Sequence, residues 1–200
     1  MSPHRQWALS AVLVLYLSLW AERVFAHVGT GTAVGFWTGF LHPVSGFDHV
    51  LAMVAVGLWG AQLGSPAIWV LPIAFPLVMV VGALLGFLGV PLPGIEIGIA
   101  TSAILLGAAV MAAWRPPLVV AGLLVGMFAV FHGHVHGAEL PAGQSAMLYS
   151  MGFVIATGLL HALGIGIGTV QRWSWGAAVL RATGAMIALA GVYFMSRVLL

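Results

Sequence analysis

PAIWVLPIAFPLVMVVGALLGFLGV, residues 66–90, contains no charged side chain, no hydroxyl, no amide and no imidazole. A bilayer-spanning helix needs about 20 apolar residues, and this run exceeds that. Pro72 and Pro76 do not argue against a helix here. Within a membrane bundle, neighbouring groups satisfy the carbonyls that prolines free, and a kink is the expected result.

The same texture extends in both directions. Five further apolar segments lie at approximately 44–63, 94–114, 117–138, 146–170 and 175–199. They are divided by GSP (64–66), PLPG (91–94), RPP (115–117), ELPAG (139–143) and QRWSW (171–175), which are short stretches of helix-stopping residues. The fold expected is all-α: a polytopic membrane bundle of about six transmembrane helices in one domain, residues 27–200. GTGTAVGFWTGFL (29–41), with four glycines in 13 residues, adds a short N-terminal half-helix, either re-entrant or lying at the outer interface. Irregular backbone at that depth needs protein or a wet cavity around it.

Composition agrees. The 200 residues are 62% hydrophobic and 5% charged, against about 25% charged in soluble domains. Six arginines, no lysine and four acids are too sparse for a nucleic-acid footprint. The absence of cysteine excludes disulfides and thiolate metal sites. The bilayer is thus the expected surrounding, and oligomeric state is left open.

Residues 1–26 read as a cleaved signal peptide. MSPHRQW is the basic region, ALSAVLVLYLSLW the 13-residue apolar region, and AERVFA the small-residue cleavage site. Cleavage after Ala26 makes His27 the mature N-terminus. With six spans and that terminus periplasmic, Arg115, Arg172 and Arg181 fall on the cytoplasmic side of a bacterial inner membrane, as the positive-inside rule asks. A seventh span at 29–41 would reverse them. Gly82-x3-Gly86, Gly122-x3-Gly126, Gly133-x3-Gly137 and the run Gly164, Gly166, Gly168 offer small residues for close helix packing.

Against this background the polar residues stand out. HPVSGFDH (42–49) and FHGHVHGAE (131–139) bring His42, Asp48, His49, His132, His136 and Glu139 to the outer half of the bilayer, and Glu96 starts the third span at the same depth. Ionisable residues at such depth are functional candidates by default. On a straight helix His42 and His49 lie two turns apart on one face; alternatively Pro43 starts the helix and His42 caps it. His132, His136 and Glu139 share a face, while His134 points nearly opposite and reads equally as an interface residue. Glu96 also suits a helix-capping role, and His161 a packing role. Imidazoles with carboxylates suit nickel, cobalt, zinc or copper and are poor for magnesium or calcium.

With HPxxGxDH and FHGxxHGxE both present, and LAMVAVGLWGAQLG (51–64) and ATGLLHALG (156–164) around them, the chain resembles the HupE/UreJ family over essentially all of 27–200. The resemblance implies a permease for divalent nickel, or cobalt, supplying hydrogenase or urease. The metal ion would be cargo, with no permanently bound cofactor. It implies His42, Asp48, His49, Glu96, His132, His136 and Glu139 as metal-site residues, with Phe75 a weaker carry-over. His27 joins them on separate grounds, because a terminal histidine offers amine and imidazole together. No GxxxxGK loop provides for ATP hydrolysis. The alternative class is an intramembrane metal-dependent hydrolase, since zinc hydrolases also combine three protein ligands with an open position.

Overall fold

The computed structural model describes residues 32–140 and 143–200. The expected signal peptide, residues 1–26, and His27 therefore lie outside the described residues. Among the described residues seven α-helices follow one another: α1 Thr32–Ser45, α2 Phe47–Leu63, α3 Ala67–Phe87, α4 Ile95–Ala112, α5 Leu118–Ala138, α6 Ala146–Gly168 and α7 Gly176–Leu199, with a 3-10 turn, Thr169–Arg172, after α6. No strand occurs among the described residues. Helices α3 to α7 are each long and apolar enough to cross a membrane. The Gly35–Ser45 and Phe47–Leu63 pieces are long and apolar enough only together, bent by 81° at the break between them, as a broken span or a re-entrant loop. The chain is a polytopic helical membrane protein.

The break corrects the expected helix start. α1 runs through His42 and Pro43 to Ser45, and α2 begins at Phe47, so Pro43 does not open the first span and His42 is not an extended cap. Gly46 adopts an extended conformation, φ −92°, ψ 112°, and the Ser45 hydroxyl closes α1 by donating to the His42 carbonyl at 2.7 Å. Glycine is the residue that most weakens helix continuity among non-prolines. Pro72 and Pro76, in contrast, lie within α3, which continues through both.

α2 is the central element. Every residue from Ala52 to Gln62 is buried, as expected for a helix apolar all round. α3 buries only a stripe, Ala67, Leu71, Phe75, Met79, Gly82 and Gly86, and exposes Ile73, Leu77, Val81 and Leu84. An apolar outer surface is what lipid accommodates.

The glycines sort into two groups. A Cβ at Gly82 would overlap the Val130 carbonyl oxygen of α5, and one at Gly86 that of His134; reciprocally, Gly133 and Gly137 face the Met79 and Ala83 carbonyls of α3. The two GxxxG motifs therefore interlock, and Gly57 meets Gly164 in the same way between α2 and α6. Gly122 has open space beside it and Gly126 only the tip of Val78 within 4 Å, so that pair is not a packing motif. Gly82→Val is expected to destabilise the protein by about 1–3 kcal/mol through overpacking. Gly122→Val should stay within about 0.5 kcal/mol of wild type. Tryptophan-fluorescence melts in detergent compare the two; equal melting would contradict the interlock.

The ends of the bundle differ in character. At one end, the Trp59 indole donates to the Trp114 carbonyl (2.9 Å) and Gln62 to the Val110 carbonyl (3.1 Å). Gln171 donates to the Ala61 carbonyl and Arg181 to the Met111 carbonyl. These bonds fasten α2, α4, α6 and α7 together there, and Arg115 and Arg172 lie in the adjoining connections. The histidines gather at the opposite end.

Candidate metal centre

The bend at Gly46 builds the site. His42 ends α1 and His49 begins α2, yet both imidazoles reach the same third ring, His136 of α5. The ring centroids of His42 and His136 are 4.6 Å apart, and those of His49 and His136 are 4.8 Å apart. His42 and His49 thus converge from two helices, and the two-turn spacing expected along one straight helix does not apply. His132, one turn below His136 on α5, continues the series at 4.7 Å from His49. Four imidazoles form an unbroken chain of contacts running inward.

Glu139, at the C-terminal cap of α5, stands at the mouth. Its Oε2 is 3.2 Å from His42 Nε2, with side-chain exposures of 54% and 27%. The potential ligand atoms of His42, His136 and Glu139 lie within 4.8 Å of one another. Transition-metal ligand bonds are about 2.0–2.2 Å long, so modest side-chain closure would let the three share one cation. Exposure then falls to 2% at His136 and 0% at His132. A cavity of about 270 Å³ opens onto the group and is lined by His42, Asp48, His49, Glu96, His136 and Glu139. Glu96, in the first turn of α4, therefore faces the same space as the other two acids.

Hydrogen bonding determines which ring nitrogens remain available. Asp48 Oδ1 accepts from both the backbone N–H and the Nδ1–H of His49, each at 2.9 Å. A carboxylate only accepts, so His49 carries a proton on Nδ1, and its Nε2, which holds the lone pair of the neutral ring, is buried without a partner among the described residues. Orientation of an imidazole by a carboxylate is the usual support for a metal-binding histidine. The Ser102 hydroxyl uses its only proton on the Ile99 carbonyl (2.6 Å), so at 3.0 Å it accepts from His132 Nε2–H. His132 Nδ1 is left bare and buried, and both nitrogens of His136 are buried without partners among the described residues.

The remaining candidates fall elsewhere. His134 Nε2 donates to the Val90 carbonyl at 2.6 Å, which ties α5 to the α3–α4 connection and makes it an interface residue. Phe75 is fully buried and packs against the rings of both His132 and His161, with centroids at 5.7 and 5.3 Å. Two contributors were not anticipated. Ser102 sets the His132 tautomer, and Phe153 packs on His136 with centroids 4.1 Å apart.

The family model described as HupE / UreJ protein matches residues 15–194. Protein HupE of Rhizobium leguminosarum bv. viciae is 47% identical over 166 residues, covering 83% of this chain and 86% of that protein. No solved structure matches.

Proposed function

The chain belongs to the HupE/UreJ family, and on that premise we propose that it is a permease for a divalent transition-metal ion. Nickel is the first choice and cobalt the second, and the ion is carried across a bacterial inner membrane for hydrogenase or urease maturation. The observation that carries this reading is the row of contacting imidazoles from partly exposed His42 to fully buried His132. A path of neutral nitrogen donors suits an ion that must shed water without losing ligands.

Capture begins at His42, His136 and Glu139. The carboxylates of Glu139, Glu96 and Asp48 offset the dication's charge where lipid and protein screen it poorly. His49 and His132 take the ion inward. Cleavage after Ala26 makes His27 the mature N-terminus on the periplasmic side, where its amine and imidazole offer further donors to an arriving ion. The metal is cargo and no resident cofactor takes part.

Equilibrium dialysis of nickel against the purified protein in detergent tests the capture step, and the mass of the same sample reads cleavage after Ala26. Glu139→Gln is expected to weaken nickel binding by about 10–100-fold, the range for losing a close supporting group at a metal site. Unchanged affinity would remove Glu139 from the site.

A further inference from the structure

Below the mouth lies a polar cluster that the capture site leaves unused. His161 of α6 is 1% exposed, and its Nδ1–H donates to the Met53 carbonyl of α2 at 2.9 Å. A carbonyl accepts only, so the proton is fixed on Nδ1 and Nε2 presents its lone pair to the interior. That nitrogen has no partner among the described residues, and neither does the hydroxyl of fully buried Thr157. Residues 157 and 161 share one face of α6. That face begins at Phe153, which touches His136, and at 1.5 Å per residue His161 lies about 12 Å further along the helix axis. His132 approaches from α5, since its ring and that of His161 both pack on Phe75.

We propose that His161 and His132, with the Thr157 hydroxyl, form a second, inner coordination station for the transported divalent ion, beneath the His42–His136–Glu139 capture site. This rests on the permease reading. Two features argue for it over packing alone. Leaving a lone pair bare in an apolar interior is costly, and an apolar side chain would fill this position without that cost. A backbone carbonyl that pins one ring nitrogen while the other stays free is also the standard preparation of a histidine ligand. The chemistry fits a transit point. Imidazoles and a hydroxyl accept nickel, cobalt or zinc and disfavour magnesium and calcium. All three acids among the described residues sit at the mouth. The inner station therefore holds a dication less tightly than the capture site, as onward release demands.

His161→Asn separates the two roles, because an asparagine amide reproduces the Nδ1–H donor to Met53 but has nothing at Nε2. With wild type and variant reconstituted in vesicles, His161→Asn is expected to lower nickel uptake about tenfold or more while nickel affinity at the capture site stays within about threefold. Wild-type uptake by a folded His161→Asn would overturn the station and leave the permease intact. A binding measurement works independently of transport. His136→Ala/Glu139→Gln, which lacks the capture site, should retain one weaker nickel site by equilibrium dialysis, lost on adding His161→Asn. No residual site, or one indifferent to His161, would refute the proposal even if uptake failed for other reasons.

Discussion

His136→Ala is expected to reduce nickel uptake by at least about 100-fold while leaving the helical fold in place. Loss of a supporting group alone typically costs about 10–100-fold at a metal site, and His136 is more than a support. Its ring lies against both His42 and His49, and it belongs to the one group of three candidate ligands found among the described residues. Removing it breaks the imidazole row at its second position and takes one of three candidate ligands from the mouth. Circular dichroism and size-exclusion profiles should match wild type, because the ring is tied by no hydrogen bond among the described residues. Uptake within threefold of wild type would show that the ion does not pass this point.

The second large effect is expected at Asp48, where two substitutions diverge. Asp48→Ala deletes the acceptor that holds the His49 proton on Nδ1, freeing the ring to rotate and to change tautomer. A loss of about 100-fold in uptake follows, at the upper end for a group that orients a ligand. Asp48→Asn keeps an acceptor oxygen but removes the charge, so its loss should be nearer tenfold. The ordering of the two is the informative result. Equal, complete loss in both would mean that charge rather than orientation is what Asp48 supplies. Wild-type uptake in both would remove Asp48 from the path.

Much of this organisation is legible in the sequence, and the exceptions have physical causes. Long apolar segments give α3 to α7 because a lipid-facing helix must be apolar over its full length. The start of α2 is harder to read, because Pro43 carries the usual sign of a first helical residue whereas the actual break depends on Gly46. That one position decides whether His42 and His49 lie along one helix or converge from two. Periodicity also places His134 opposite His132 and His136 but says nothing of the Val90 carbonyl it meets. Ser102 is silent in the sequence: a single hydroxyl in an apolar helix has no pattern, and its partner His132 is 30 residues away. Likewise Gly122 and Gly126 match the spacing of Gly82 and Gly86, but spacing does not reveal whether another helix faces them.

In the proposed permease a divalent metal ion enters at His42, His136 and Glu139 and crosses the protein along the histidines behind them. Uptake of radioactive nickel by vesicles carrying the purified chain tests it most directly. The prediction is saturable uptake well above that of protein-free vesicles, competed by cobalt and not by magnesium, and lost with His136→Ala. Nickel and cobalt uptake no greater than in empty vesicles, by wild-type protein that is correctly folded, would contradict it.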